Sequence, residues 1–399
     1  MRLVHLADLH LGHRQYQRLT PAGLNQREAD VAAAFVKAVD KTIDLAPDIV
    51  LIAGDIFQTV RPPNPAILHA FNHFARLRQA LPSAAIVMIA GNHDLPRTAE
   101  MGCILRLFAR LGIEVADREP RSILFDRLGL HVLAVPDLPE GSRPALLPRA
   151  DVETNVLVLH GEIEGVIPRG LMMYDRATMT IPLDELHAPQ WNYIALGHYH
   201  VHREVAPNAY YAGAIEYTSP NLWGELREES ATGLPGKGIV EYDLAMRRRT
   251  FHPIPLARRF VDLQPIDGRG RTAAEIDDLI RLRIEQCGGI DDCVVRLVIR
   301  DVPRHIAREL DAKAIRDYRR RALHLHLDTR KPEVLRVTGS GGFAGRRPSL
   351  IETVTERLQA RAISPGIDRD ALINLAVHYL RQVERNEGTP VASLAEGTS

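Results

Sequence analysis

A chain of 399 residues, 45% hydrophobic and 25% charged, reads as a globular protein of about two or three domains. Its three cysteines, Cys103, Cys287 and Cys293, form no CxxC pair, and their odd count argues against a disulfide framework; no apolar run approaches the roughly 20 residues that span a bilayer. Fifty basic and fifty acidic residues cancel, a balance that neither supports nor excludes a nucleic-acid partner because only local patches matter.

A strand begins almost at Met1, leaving no room for a signal peptide, and the cysteine usage fits a reducing compartment, so the expected location is the cytoplasm. Leu3 to Ala7 is the first strand, and it ends in Asp8-Leu9-His10-Leu11-Gly12. In an extended segment Asp8 and His10 project to one side, and a carboxylate beside an imidazole is half of a transition-metal site. An Asp turn with a chance His is the bland alternative. Val31, Phe35, Val39 and Ile43 mark one stripe of a helix over 27–45. Ile49 to Ala53 is a buried strand ending in Gly54-Asp55-Ile56-Phe57, so strand, helix and strand form a parallel unit that brings Asp8 and Asp55 to one sheet edge. A helix over 65–79 follows; its His69 and His73 stand four apart, but without an HExxH glutamate they read as a packed or solvated face. Ala85 to Ala90 is the next buried strand, and it stops at Gly91-Asn92-His93-Asp94. In open α/β sheets ligands bind at such carboxyl ends. Asn92 can ligate a metal without adding charge, and His93 can donate a proton or a hydrogen bond.

Short strands over 123–125 and 131–135 lead to Asn155–Leu159, which ends in His160-Gly161-Glu162. Tyr193 to Leu196 ends likewise in Gly197-His198-Tyr199-His200, with His198 and His200 on one face of an extended segment and His202 continuing the alternation, read as a solvent-facing strand residue with a substrate contact as the alternative. Tyr210–Ala214 and Gly238–Tyr242 are further strands, and the polar, Gly-rich run from Asn221 to Lys237 reads as a loop. From Arg258 a strand, a helix over 272–285, a strand over 293–299, a basic helix over 311–321 and a strand over 322–327 read as a small α+β domain. Its 17 Lys/Arg against 13 Asp/Glu between Arg258 and Lys331 make a mild excess: a solvated surface by default, a phosphate-backbone face as the alternative. His324 and His326 read as one face of a strand. The Gly/Arg/Ser stretch over 338–349 is a linker and lacks the Gly-Lys-Ser/Thr of a phosphate loop. Two amphipathic helices follow, striped by Leu350, Val354 and Leu358 and by Leu372, Leu375, Tyr379 and Val383, with Asp368 capping the second. They either fold back on the body or dock on a partner helix. Residues 387–399 read as a disordered tail.

Five strand ends therefore carry Asp8/His10, Asp55, Asn92/His93, His160 and His198/His200. This donor set is oxygen and imidazole with no thiolate, which suits Mn²⁺, Fe²⁺ or Zn²⁺ and disfavours a structural zinc knuckle. Seven candidate ligands are too many for one ion and suit two if one carboxylate bridges; two ions roughly 3.5–4 Å apart form the usual clamp for phosphate-ester hydrolysis.

The order DxH, GDxF, GNHD, H, GHxH resembles the calcineurin-like metallophosphoesterases, and more closely the SbcD family of DNA-repair nucleases. The likeness lies in Leu-Ala-Asp-Leu-His-Leu-Gly-His, in Ala-Gly-Asp-Ile-Phe with Arg-Pro-Pro after it, in Gly-Asn-His-Asp-Leu-Pro and in Tyr-Ala-Gly-Ala-Ile-Glu-Tyr-Thr-Ser, and it covers about the first 250 residues. It implies a two-sheet α/β/β/α metallophosphoesterase domain over 1–257, a small α+β DNA-contacting cap over 258–337, and a helical partner-binding segment over 350–386. It implies one ion held by Asp8, His10, Asp55 and His200 and another by Asp55, Asn92, His160 and His198, with His93 as the catalytic imidazole. It further implies a preference for Mn²⁺, a homodimer through helices of the phosphoesterase domain, and an SbcC-type coiled-coil ATPase as partner. The expected activity is that of an exonuclease and single-strand endonuclease in double-strand-break repair. A stand-alone phosphoesterase acting on small phosphodiesters or nucleotides is the alternative, and a non-catalytic scaffold the third reading. Two departures bear on this: Gln58 stands where many relatives have His after GDxF, and the 221–237 stretch is long for the family. Asp94 is expected either to orient His93 or to cap the next helix.

Overall fold

The computed structural model describes residues 1–96, 102–139, 141–166, 177, 179–332, 350–361 and 368–386. Residues Met1–Glu333 form one compact unit and Val334–Ser399 a second. The linker read over 338–349 and the tail read over 387–399 lie outside the described residues.

Strand β1 (Arg2–Leu6), helix α1 (Gln26–Leu45), strand β2 (Ile49–Ala53), helix α2 (Asn64–Ala80) and strands β3 (Ala85–Ile89) and β4 (Glu114–Ala116) open the first unit. β1 to β4 lie side by side in parallel register, which is the arrangement that continuous apolar runs such as Ile-Val-Leu-Ile-Ala favour when both faces are covered. Asn25 caps α1, its side chain accepting the main-chain N–H groups of Arg27 and Glu28. Val31, Phe35, Ala38 and Val39 then pack with Phe74 and Leu77 of α2 on the outer face of this sheet.

The second sheet holds β5 (Arg121–Phe125), β6 (Leu130–Val135), β7 (Thr154–His160), β10 (Tyr193–Gly197), β11 (Arg203–Ala206) and β12 (Ala209–Tyr211), in the order β11-β12-β10-β7-β6-β5; β8 (Glu162–Ile163) and β9 (Thr180–Ile181) pair separately. Inward residues of the two sheets, among them Leu51, Val87, Val132, Val156, Tyr193 and Ala195, make one core between them. Leu157, Leu159, Leu186, Trp191 and Leu196 make another on the outer face of the second sheet, where 3₁₀ turns over Leu183–Leu186 and Ala188–Gln190 give cover.

The stretch read as a loop from Asn221 to Lys237 is mostly helix α3 (Leu222–Thr232), stopped by Gly233 in the left-handed conformation. Its buried positions are Leu222, Gly224, Glu225 and Glu229, so the inward face is largely acidic and leaves no apolar stripe to read. Strands β13 (Gly238–Asp243) and β14 (Arg248–Pro253) then complete the first sheet beside β1.

Next come β15 (Phe260–Asp262), β16 (Ile266–Asp267), helix α4 (Ala273–Gln286) with a Thr272–Glu275 capping box, β17 (Val294–Arg300), helices α5 (Arg304–Glu309) and α6 (Ala312–Arg321), and β18 (His324–Thr329). All pairings on β17 are parallel, with β15 and β16 along one side and β18 along the other. Ile276, Ile280, Ile284, Val295, Leu297 and Ile299 give this sheet its own core. Arg27, fully buried on α1, binds the carboxylates of Asp30 and Glu216 at 3.2 Å each and lies over the Phe260 ring, tying α1 to the start of β15.

In the second unit α7 (Leu350–Ala360) packs against α8 (Arg369–Asn386), and Asp368 accepts the N–H groups of Asp370 and Ala371 as the expected cap. Among the described residues no helix is long and apolar enough to cross a membrane.

Candidate metal centre

The parallel register brings the ends of β1, β2 and β3 level in one sheet and those of β7 and β10 level in the other. Beyond the strands the exits of β1 and β2 stay zipped: the N–H groups of Asp8, His10 and Leu11 donate to the carbonyls of Gly54, Asp55 and Ile56 at 2.9–3.0 Å. Leu9 and Leu11 point into the core, so Asp8 and His10 face the opposite way, beside Asp55. The reason for that shared direction differs from simple strand alternation. Asp8, His10 and Asp55 adopt φ of 53°, 47° and 52°, and His198 adopts 104°, so these chain exits are left-handed rather than extended. Such backbone is costly for residues with a side chain and persists where surrounding structure enforces it, as at functional sites.

All seven predicted donors converge. Nε2 of His10 and Nε2 of His200 stand 3.0 Å apart, Nε2 of His10 is 3.8 Å from Asp55 Oδ2, and Asp8 joins the pair in one donor group. Nε2 of His160 lies 3.0 Å from Asn92 Oδ1 and 3.5 Å from Asp55 Oδ2, and Nδ1 of His198 lies 3.3 Å from the same Asn92 oxygen. Asp55, His160 and His198 form a second donor group, which places Asp55 between the two. Gly91 is required here, since a Cβ on it would stand 2.1 Å from Asp55 Oδ1.

Outer contacts orient the rings. His160 donates from Nδ1 to the Ala53 carbonyl at 2.8 Å, so that the lone pair lies on Nε2 once the ring gives up its second proton. His200 Nδ1 lies 3.4 Å from Glu225 Oε1. His198 Nε2 lies 3.4 Å from Glu162 Oε1 and 3.2 Å from the Ala177 N–H. Asp8 accepts the His198 main-chain N–H at 3.0 Å, and Asp55 accepts that of His93 at 2.9 Å. Glu225, Glu162 and Lys237 escaped the sequence reading: Glu162 sat unassigned after His160, and Glu225 gave no signal inside a run read as a loop.

His93 stands with His10 and Asp55 in a third donor group, its ring edge-to-face with His10 at 4.9 Å. Its Nδ1 donates to the Gln58 carbonyl at 2.8 Å, and the Gln58 side-chain oxygen in turn meets Nδ1 of His13 at 3.0 Å. Asp94 does neither of the things expected of it: its carboxylate accepts the N–H groups of Ile56, Phe57 and Gly91 at 3.0–3.1 Å and so fixes the Asp55 loop.

Electrostatics suit cation binding. Burial and the neighbouring His200 push the His10 pKa well down, which keeps its lone pair available. Burial raises the Asp8 carboxyl, against the pull of His200 and His160. Burial also opposes charge on His160 and His200, but for His160 the carboxylates of Asp55, Asp8 and Asp137 outweigh it, and for His200 Glu225 and Asp8 do. Lone pairs, carboxylates and an amide oxygen closing on two points form a donor set fitted to two divalent ions.

The remaining histidines stay apart. His69 Nε2 meets the Ala32 carbonyl and His73 packs edge-on to Phe35. His324 stacks on Tyr16 at 3.9 Å. His202 is buried rather than solvent-facing: Nδ1 meets the Tyr211 carbonyl, Nε2 meets Arg249, and the ring stacks on Phe251 at 4.7 Å, because β14 covers that face.

Comparison with known proteins accords with this geometry. Residues 1–209 match the model of the calcineurin-like phosphoesterase family. Archaeal proteins named DNA double-strand break repair protein Mre11 are similar in sequence. That of Methanococcus maripaludis is 38% identical over 102 residues, 26% of this chain and 25% of its own. That of Methanocaldococcus jannaschii is 27% identical over 265 residues, 61% and 63% of the two chains. That of Haloferax volcanii is 28% identical over 319 residues, 75% and 61%. The chain thus spans less than two thirds of the length of each of these relatives. With its strand-end donors in this order and more than half its length matched, the chain belongs to the calcineurin-like phosphoesterase family.

Proposed function

We propose that this chain is a metal-dependent DNA phosphodiesterase, the nuclease subunit of an SbcCD-type double-strand-break repair complex with exonuclease and single-strand endonuclease activity. The observation that carries the reading is the convergence of seven oxygen and imidazole donors from five strand ends around Asp55. Asp8, His10, Asp55 and His200 would hold one ion and Asp55, Asn92, His160 and His198 the other, with Mn²⁺ the proposed ion and Fe²⁺ or Zn²⁺ compatible with the same donors. Two such ions supply a nucleophilic water at neutral pH and offset the charge of the phosphoryl oxygens. His93 is the proposed catalytic imidazole. With Nδ1–H given to the Gln58 carbonyl, Nε2 is the atom left for the leaving oxygen, which the ring would stabilise or protonate from its doubly protonated, imidazolium form.

DNA as substrate is supported by the relatives' names and by Lys313, Arg316, Arg319 and Arg320 along α6 of the proposed cap over 258–337. A coiled-coil ATPase partner is supported by the helical segment over 350–386, whose Leu350, Leu375 and Tyr379 are exposed. A homodimer through the phosphoesterase domain is supported by exposed Leu68 beside half-buried Ile67 and Phe71 on α2. A cytoplasmic location is supported by three unpaired cysteines.

Cleavage of a linear duplex and of a small chromogenic phosphodiester, assayed side by side with Mn²⁺ and with EDTA, tests the function. Duplex cleavage that requires Mn²⁺ is the expected result. Hydrolysis of the small ester alone, even with the ATPase added, would overturn the DNA reading in favour of a stand-alone phosphoesterase.

A further inference from the structure

Helix α3 brings a buried charge cluster to the back of the metal centre. Lys237 donates to Glu225 Oε2 at 2.5 Å and to the His200 carbonyl at 2.8 Å, and pairs with Glu229 at 2.9 Å. Glu229 also accepts the Tyr217 hydroxyl. The second oxygen of Glu225 faces Nδ1 of His200 at 3.4 Å, while the other nitrogen of that ring faces His10 across 3.0 Å. Glu225, Glu229 and Lys237 are all at most 5% exposed.

Stability is a weak reason for such a cluster, because the desolvation of buried charges often exceeds what their attraction returns. Orientation is a stronger one. A ligating imidazole must carry its lone pair on one nitrogen and its proton on the other, and a carboxylate behind the protonated nitrogen fixes both and raises the ring's basicity. Of the two acids paired with Lys237, Glu225 is the one within reach of His200; Glu229 is turned towards Tyr217.

We propose that Glu225 is a positioning residue of the metal centre: its carboxylate stands against the Nδ1 side of His200, favours the proton there and so holds Nε2 towards the ion shared with Asp8 and His10, while Lys237 anchors both the Glu225 carboxylate and the His200 main chain. This rests on the two-ion reading of the strand-end cluster. Glu229 balances the Lys237 charge and does not touch the ligand.

Mn²⁺ titration of the full chain by calorimetry, with the electron paramagnetic resonance of bound Mn²⁺ recorded alongside, tests it in the wild type and in Glu225→Gln, Glu225→Asp and Glu229→Gln. The wild type is expected to bind two ions. Both Glu225 variants are expected to bind one of the two about tenfold to a hundredfold more weakly and the other unchanged. Glu225→Asp keeps the negative charge that Lys237 requires, and so stays folded should the glutamine variant not. Glu229→Gln is expected to bind both ions as the wild type does, even where its melting temperature falls. Unchanged Mn²⁺ affinity in the Glu225 variants overturns the proposal, and so does an equal loss in Glu229→Gln, which marks the cluster as purely structural. A wild type that binds no Mn²⁺ overturns the two-ion reading itself.

Discussion

Gly197 faces the carbonyl oxygen of Ala53 at such short range that a Cβ on it would stand 1.7 Å from that oxygen. The end of β10 in one sheet thus lies directly against the end of β2 in the other, and the same carbonyl accepts the His160 Nδ1 proton at 2.8 Å. Backbone cannot step aside as a side-chain tip can, so Gly197→Ala must part the sheets where the ligands meet. The expected cost is about 3 kcal/mol or more, together with loss of His160 from the site. Urea unfolding and Mn²⁺ titration of the variant check both parts.

His93 is close enough to His10 and Asp55 to be counted as a ligand, yet its Nδ1 is committed to the Gln58 carbonyl. If Nε2 works on the leaving oxygen, His93→Gln should keep both ions while cleavage falls by about a hundredfold to ten-thousandfold. The check is metal content per chain alongside the turnover rate. Loss of one ion in the variant would make His93 a ligand.

Much of this site was readable because parallel strands buried on both faces spell continuous apolar runs, and the polar residues that interrupt them fall at the strand ends. Ile49–Ala53 followed by Asp55, and Ala85–Ile89 followed by Asn92 and His93, are of this kind. What stayed hidden was written in another chemistry. Helix α3 buries Glu225 and Glu229 against Lys237, so its inward face is charged and periodicity of apolar residues says nothing about it. The left-handed turns at Asp8, His10 and Asp55 follow from contacts between two strand exits distant in sequence, and local propensity disfavours them. His202 was misread because Phe251 and Arg249, which cover it, arrive from β14 nearly fifty residues later.

Asp94 joins three amide groups that have no place in a regular ladder. With the carboxylate removed, as in Asp94→Ala, the N–H groups of Ile56, Phe57 and Gly91 are left buried. Each unpaired donor costs about 1–3 kcal/mol, so the loss is expected to exceed about 3 kcal/mol. Asp94→Asn keeps one acceptor oxygen and should lose less. Chemical denaturation of both variants gives the order; equal stability of alanine and wild type would show that the carboxylate does not hold the Asp55 loop.

His5 gives the fold a pH dependence away from the ligands. Its ring is buried between the two sheets with Nδ1 against the Tyr193 hydroxyl at 3.1 Å, and burial, with His202 nearby, pushes its pKa down to about 3. The unfolded chain takes up this proton near the ordinary value of 6.5, so between there and about 3 the unfolded state binds more protons than the folded one. Stability from this group is therefore complete above pH 6.5 and is lost as the pH falls towards 3, at up to about 1.4 kcal/mol per unit. His5→Phe cannot titrate. Although it strands the Tyr193 hydroxyl and starts less stable, its melting temperature should fall less steeply than that of the wild type from pH 6.5 to 4. Parallel slopes in that window would show that His5 does not set the acid sensitivity of the fold.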